Sequence, residues 1–189
     1  MKTKIVPRET QNLKQRKPET KINVPRETIL NLFLTMKIVE KEILSEKEKN
    51  VLRELWNNEY PARLHLKTIE DFESYLNGIS DTKHYLLFDD SDKINGWAFT
   101  FLREDENWFA IILDHQIQGK GNGSLLISEL KKKNNVLNGW VTDHENEVKQ
   151  NNEVYKSPMP FYIKNGFIII AETRIENEKM SAVKINWKR

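Results

Sequence analysis

The spacing of apolar residues divides the chain from Met36 onward into helical and strand segments. Residues three and four positions apart share one face of a helix, so apolar residues that recur at this spacing predict four helices. The first two begin at N-capping residues: Ser45 with Glu48 forms a capping box, and Thr68 precedes the second helix. The third helix follows a glycine-rich loop, and the fourth is a short helix at 158–164.

Seven segments are typical of β-strands, because they are rich in apolar and β-branched residues and are bounded by polar turns. Two acidic turns, 89–92 and 104–107, join three consecutive strands into an antiparallel meander. The element order β-α-α-β-β-β-α-β-α-β-β predicts a mixed α/β domain of the α+β class. The predicted strands are 36–44, 84–88, 93–103, 108–114, 136–142, 167–175 and 180–187.

The segment before this domain has a different composition. Residues 6–10 and 24–28 have the same sequence, VPRET, and the stretch between them is almost wholly polar. Such a composition cannot bury a core, so we expect residues 1–35 to be a disordered extension of a single domain at 36–189. A second interpretation is that VPRET is the in-frame translation of a repeated DNA partition site, with Met36 as the natural start.

Composition and charge exclude several classes of protein. The 189 residues include no cysteine and carry a formal net charge of +2. Disulfides, thiolate metal sites and a cysteine nucleophile are therefore excluded. The four histidines are far apart, which is not the spacing of a zinc site. Basic residues form no stripe interleaved with aromatics, as they do in nucleic-acid-binding proteins. We expect a cytoplasmic protein of bacterial type with no metal, no nucleic-acid partner and no membrane span.

A glycine-rich loop between a strand and a helix indicates a phosphate site. Gly119, Gly121 and Gly123 let the backbone approach a ligand closely, and the first amides of the following helix have no partners inside it. A P-loop requires a lysine directly before Ser124, where glycine stands. A dinucleotide-binding fold is a second interpretation, but its third glycine would come one residue later, and the meander leaves too little chain for a doubly wound sheet.

Two motifs resemble those of the GNAT superfamily of N-acetyltransferases. Gln118-x-x-Gly121-x-Gly123 is similar to its Q/R-x-x-G-x-G/A motif, and residues 161–167, FYIKNGF, are similar to its F-Y-x-K-x-G-F signature. By element order the resemblance covers 36–187. It implies an acyltransferase that moves an acetyl group from acetyl-CoA, as co-substrate, to a primary amine. It also implies a mixed, mostly antiparallel sheet of about seven strands flanked by helices, with strands 4 and 5 splayed.

The resemblance further implies roles for individual residues. Tyr162 matches the tyrosine that acts as general acid toward the leaving thiolate. Asp143 and His144 follow the splayed strand and are candidates for the general base, and deprotonation through water is an equal alternative. Many members have asparagine where Tyr155 stands, so Ser157 takes over the corresponding contact in this expectation. The expected coenzyme-binding residues are Ile111, Ile112, Leu113, Gln118, Gly119, Lys120, Gly121, Asn122, Gly123, Ser124, Ser157 and Lys164.

Two other functions stay open at this level. A non-catalytic acyl-CoA-binding sensor would keep the glycine-rich loop without a productive base. A dinucleotide-dependent oxidoreductase would bind NAD in place of CoA. Small-molecule amines and the amines of peptides or proteins are both candidates for the acceptor. The chain is expected to act as a monomer or a homodimer.

Overall fold

The computed structural model describes residues 36–189. The expected extension at 1–35, with its repeated VPRET segment, lies outside the described residues. The strands are β1 (Lys37–Lys41), β2 (Ser80–Phe88), β3 (Ile94–Arg103), β4 (Glu106–Leu113), β5 (Val136–Val141), β6 (Ile168–Glu176) and β7 (Ser181–Lys188). The α-helices are α1 (Glu46–Glu59), α2 (Ile69–Asn77), α3 (Asn122–Lys133) and α4 (Met159–Lys164).

The element order agrees with the sequence pattern, and the largest differences in length are at the first two strands. β2 begins at Ser80 rather than at residue 84, because its pairing with β3 continues as far as Leu102 beyond an irregularity in register. β1 ends at Lys41 rather than at residue 44, because its pairing with β2 ends there. Leu44 is buried instead among the side chains of α1 and α2.

The first two helices begin as the sequence predicts. The hydroxyl of Ser45 accepts the Glu48 amide at 3.4 Å, and the Glu48 carboxylate accepts the Ser45 amide at 2.8 Å, so the capping box is confirmed. Thr68 and Asp71 form a second box at the start of α2. α3 differs, because its N-cap residue is Gly121 and no side chain caps it. In the described part of the chain, no helix has the length and apolar character needed to cross a membrane.

The strands form one sheet in the order β1-β2-β3-β4-β5-β7-β6. Neighbouring strands are antiparallel except β4 and β5, which are parallel. Their registered pair is Trp108 with Asn138, near the start of each strand, and the strands diverge beyond it. The side chain of Asn138 holds this junction, since it donates to the carbonyl of Asn107 at 3.1 Å and accepts from Asn186 at 2.9 Å. The predicted mixed sheet with splayed strands 4 and 5 is confirmed.

Alternation of side chains along β4 separates two cores, one on each face of the sheet. Trp108 and Ile112 pack on the face covered by α1 and α2. Phe109 packs on the opposite face, with Leu130 of α3 and Tyr162 of α4. Because β4 and β5 diverge between these two cores, the sheet contains an opening that reaches both of its faces.

Candidate active site

The opening between β4 and β5 is a cavity of about 810 Å³. This volume lies in the range of small-molecule binding sites, about 300–1,000 Å³. Residues 108–113 of β4 line one side, and residues 139–142, from β5 and its end, line the other. The expected strand contacts Ile111, Ile112 and Leu113 therefore all border the cavity. The beginning of α3 and most of α4 complete its walls on one face of the sheet.

The glycines of the loop before α3 have two different structural roles. Gly119 and Gly121 have positive φ values of 71° and 89°, a backbone conformation that favours glycine. Gly123 has an ordinary φ but a crowded position, because a Cβ atom there would lie 2.9 Å from Cε2 of Phe161 and 3.2 Å from Cδ1 of Leu113. The first two glycines let the chain turn into α3, and the third lets α3 pack closely against α4 and β4.

The backbone amides at the start of α3 form a set of free donors. Within residues 36–189, the amides of 119–124 donate to no protein acceptor. Gly119, Gly121, Gly123 and Ser124 line the cavity. The positive end of the helix dipole adds to the same site, so an anion with several oxygens matches this position.

The other two residues of the loop contribute no side chain to the cavity lining. Lys120 is exposed and lies outside the lining. The amide nitrogen Nδ2 of Asn122 donates to the carbonyl of Ile117 at 3.0 Å, which ties the loop to the turn before it. The coenzyme-binding roles expected of Lys120 and Asn122 remain predictions.

Gln118 links the loop to two neighbouring elements. Its side-chain Nε2 donates to the carbonyl of Leu113 at 2.8 Å and to the carboxylate of Glu59 at 3.2 Å. Glu59 ends α1, and its side chain is only 5% exposed. The motif glutamine therefore fixes the distance between the end of β4, the end of α1 and the start of the loop.

Glu59 joins three segments around the cavity, and sequence analysis overlooked it. Its Oε1 accepts a hydrogen bond from the His115 amide at 2.9 Å and lies 3.1 Å from His115 Nδ1. Its Oε2 accepts from Gln118 Nε2 at 3.2 Å and from Lys149 Nζ at 2.6 Å. Glu59 follows Leu55 and Trp56 at positions i+4 and i+3, on the buried face of α1. A charged residue on an apolar helix face was the signal that could have revealed it.

Possible metal-ligand atoms of Glu59, Asp114 and His115 lie within 4.8 Å of one another. The Lys149 ammonium already contacts the Glu59 carboxylate at this cluster. The group is thus a buried ion pair with amide donors around it, which is the usual way to stabilise a buried carboxylate.

Tyr162 lies on α4 with its side chain largely buried and lines the cavity. Its ring packs edge-on against Phe161 and Phe167, with centroids 5.0 and 5.6 Å away. Its hydroxyl has no hydrogen-bond partner among residues 36–189. The hydroxyl oxygen is also not among the buried polar atoms without a partner, so it keeps access to solvent. Burial, and secondarily the neighbouring Tyr155, raise the pKa of the Tyr162 phenol, so it carries its proton at neutral pH.

Tyr60, at the end of α1, and Tyr155, in the segment before α4, also line the cavity. Burial raises the pKa of both phenols, and Glu59 adds to the rise at Tyr155. Tyr155 is thus a cavity residue at the position where the resemblance leads one to look for asparagine. Three protonated phenols and one carboxylate make this end of the cavity polar.

Ser157 and Lys164 both line the cavity, from opposite ends of the α4 region. The Ser157 hydroxyl donates to the carbonyl of Thr142 at 2.6 Å and accepts the amide of Met159 at 3.2 Å. Ser157 therefore anchors the start of α4 to the end of β5. Lys164 is exposed, with no carboxylate partner in the described part of the chain, so its charge is available at the cavity rim.

Asp143 lies outside the cavity lining. Its carboxylate pairs with both terminal nitrogens of Arg174, at 2.6 and 3.2 Å. This hydrogen-bonded pairing holds the pKa of Asp143 below its usual range.

His144 likewise lies outside the lining. Its Nδ1 accepts the Asn146 amide at 3.3 Å, and its Nε2 lies 2.9 Å from the hydroxyl of Ser181. Both ring nitrogens are therefore engaged. The structure does not bring Asp143 or His144 together with Tyr162, and the base role remains a prediction.

Neither protein-family models nor curated protein sequences give a match to this chain. Several solved structures, however, are similar to this chain. A GNAT-family acetyltransferase from Staphylococcus aureus Mu50 is similar with a TM-score of 0.56 and 14% identity, over 82% of this chain and 99% of that chain. The ribosomal-protein-S18-alanine N-acetyltransferase from Escherichia coli has a TM-score of 0.55 and 13% identity, over 82% and 94% of the two chains.

A variant of the spermidine N-acetyltransferase from Vibrio cholerae is also similar, with a TM-score of 0.54 and 15% identity, over 81% of this chain and 93% of that chain. The described chain therefore has the GNAT fold. Identities this low establish the fold and leave activity to be argued from the site.

Proposed function

We propose that the protein transfers an acetyl group from acetyl-CoA to a primary amine. The observation that carries this proposal is that the free amides of α3 and the hydroxyl of Tyr162 border one cavity that passes through the sheet. One feature is suited to a pyrophosphate and the other to a thiolate leaving group. A coenzyme with a phosphate at one end and a thioester at the other connects them.

The residues present fit such a coenzyme. Amides of 119–124 bind the pyrophosphate, since they are donors with no acceptor of their own in the described chain. The diverging edges of β4 and β5 leave the backbone of Ile111 and the amide of Leu113 to hold an extended arm, while the Leu113 carbonyl accepts from Gln118. Lys164 adds positive charge at the rim. The thioester supplies an activated acyl carbon, and the protein supplies orientation and a proton.

The transfer balances without any further reactant. The neutral amine nitrogen forms a bond to the acyl carbon as the carbon–sulfur bond breaks, and the sulfur leaves with the bonding pair. Tyr162 donates its proton to that sulfur, the amine loses one proton to water, and water returns a proton to the Tyr162 phenolate. Water, rather than Asp143, suits the second role, because Asp143 is paired with Arg174 and its pKa is lowered. This favours the water-relayed alternative.

The variant Tyr162→Phe tests the proposal. General acid catalysis contributes about 10²–10⁴-fold, so we expect kcat to fall by at least about 100-fold while CoA binding is retained. Thiol release with a panel of primary amines gives the rate, and calorimetry with CoA gives the binding. Tyr85→Phe is the matched control, since Tyr85 is a core tyrosine outside the cavity lining.

The same measurements separate the rival functions. A sensor would bind CoA but release no thiol with any amine in the wild-type protein. A nucleotide-dependent oxidoreductase would bind NAD and not CoA. Either result would overturn acetyl transfer as the function of this site.

A further inference from the structure

The part of the cavity on the α1–α2 face has aromatic walls, and we name it the acceptor chamber. Trp108 and Trp140 pack against each other with centroids 5.1 Å apart and rings inclined by 30°. Between Trp108 and Ile112, on the same face of β4, the small side chain of Ala110 leaves room above the strand. A flat, apolar body fits such walls. The aromatic residues of the chamber are Trp56, Tyr60, Tyr75, Phe101, Trp108 and Trp140.

Arg103 supplies the charge of this chamber. It is the last residue of β3 and follows Phe101 on the same face of the strand. Its guanidinium carbon lies 5.2 Å from the ring centroid of Phe101 and 5.5 Å from that of Trp108. Stacking on two rings fixes the guanidinium while its in-plane N–H donors stay available.

Arg103 also lacks the partners that other arginines have. Arg63 and Arg174 pair with carboxylates. Arg53 and Arg189 have no carboxylate partner, but both donate to backbone carbonyls. Within residues 36–189, no carboxylate pairs with Arg103, although it borders the cavity. An oriented cation without an anion is the arrangement expected of a residue that binds a carboxylate or similar group of a ligand.

Two indole groups of the chamber also lack acceptors. The Nε1–H groups of Trp108 and Trp140 are buried, and neither has a hydrogen-bond acceptor among the described residues. A buried donor without an acceptor costs free energy, about 1–3 kcal/mol in proteins. Both indole nitrogens are sealed from solvent, so the anionic group of a ligand in the chamber meets the guanidinium of Arg103 rather than these donors.

The charges around the cavity disfavour a ligand with several positive charges. Two acidic residues of the lining are neutralised, Glu59 by Lys149 and Glu147 by Arg63. Glu153 is the third acidic residue, and it lies in the 145–156 segment rather than in the chamber. A ligand with several positive charges would face Arg103 without a compensating carboxylate in the chamber.

From these observations, and on the basis of the proposed acetyl transfer, we infer that the acceptor is an amine with a flat apolar body and an anionic group at its far end. The aromatic walls hold the body, and Arg103 binds the anion. Ala110 and Trp108 are two residues apart on β4, a distance of about 7 Å, which one substituted benzene ring spans. The amine then lies toward the thioester, and the anion takes no part in bond formation.

Three probes that differ only at the far end test this inference. They are 4-(aminomethyl)benzoate, benzylamine and 4-(aminomethyl)benzylamine, with a negative, a neutral and a positive group opposite the same amine. Quenching of tryptophan fluorescence in the presence of CoA measures binding, since Trp108 and Trp140 border the chamber. We expect the benzoate to bind about tenfold more tightly than benzylamine, as a charge-assisted hydrogen bond implies, and the dication to bind most weakly.

Arg103→Gln should remove this preference and leave the three probes within about twofold of one another. Lys179→Gln is the matched control, because Lys179 also borders the cavity but does not stack on the aromatic walls. It removes the same charge and should keep the tenfold preference. Equal binding of the three probes to the wild-type protein, or a preference that survives Arg103→Gln, would overturn the inference.

Thiol release distinguishes this inference from the proposed function. If benzylamine and the dication are acetylated as efficiently as the benzoate, acetyl transfer stands and the anionic acceptor is refuted. If the benzoate binds in an Arg103-dependent way and a broad amine panel releases no thiol, the chamber is supported and acetyl transfer is refuted.

Discussion

Replacing Glu59 by glutamine tests whether this buried carboxylate holds the site together. Both carboxylate oxygens accept hydrogen bonds, Oε1 from His115 and Oε2 from Gln118 and Lys149. An amide has one acceptor oxygen and one donor nitrogen, so in either orientation the substituted side chain would point N–H groups at other donors. The Glu59→Gln variant keeps the volume of the side chain and removes only the charge and one acceptor.

The cost follows from burial. Side chains of Glu59 and Lys149 are 5% and 15% exposed, so the ion pair is shielded from water. Breaking a fully buried pair costs about 3–5 kcal/mol. Because Lys149 keeps some access to solvent, we expect the free energy of unfolding to fall by about 3 kcal/mol. For a chain of this size, that corresponds to a fall in Tm of roughly 6–12 °C.

Urea denaturation followed by tryptophan fluorescence measures this change, with Glu46→Gln as control. Glu46 lies in the first turn of the same helix and pairs with Lys49 at 2.8 Å, but its side chain is 75% exposed. We expect the control to cost less than about 0.5 kcal/mol. A double-mutant cycle with Lys149→Met should give a coupling above about 1 kcal/mol. Equal costs for the two glutamate variants, or no coupling to Lys149, would refute this account of Glu59.

Two further predictions concern packing and pH. Gly123→Ala should destabilise the fold by about 1–3 kcal/mol and raise the Kd for CoA, because the added Cβ would lie 2.9 Å from Phe161. Gly121→Ala should cost about 1–2 kcal/mol through its positive φ alone, since no atom lies within 4 Å of the added Cβ. Calorimetry that finds unaltered CoA affinity in Gly123→Ala would contradict the packing argument. Burial lowers the pKa of His84 to about 4, and its Nδ1 accepts the indole N–H of Trp97. The unfolded chain binds this proton below pH ~6.5, so stability should be lost as pH falls from about 6.5 to about 4, by up to about 3 kcal/mol. Urea denaturation across this range should show a shallower loss for His84→Asn, and an identical loss in both proteins would show that His84 is not responsible.

Local sequence determined the secondary structure and the conformation of the glycine-rich loop. Helix starts at Ser45 and Thr68 depend on a cap and a residue three positions on, and positive φ values at Gly119 and Gly121 depend on the residue itself. The two motifs also placed the splayed strands correctly. Such features could be predicted because neighbouring residues produce them.

Tertiary structure decided which of these residues face the cavity. Asp143 and Arg174 are separated by 31 positions, and Glu59 and Lys149 by 90. Hydrogen-bonding and charge pairing over such separations depend on the fold and leave no periodic trace in the chain. Asp143 therefore looked free in the sequence, and the partners of Glu59 were not visible from its place on the apolar face of α1.

The acceptor chamber shows most clearly which features the sequence determines and which the tertiary structure decides. Alternation along β3 and β4 already places Phe101 and Arg103 on one face, and Trp108 and Ala110 on one face. Only the register between the strands sets Phe101 opposite Trp108, and only the divergence of β4 from β5 opens the space beside them. The sequence by itself thus determined the elements and the glycine-rich loop. The assembled sheet decided which aromatic and charged side chains meet across the opening, because that depends on contacts between distant segments.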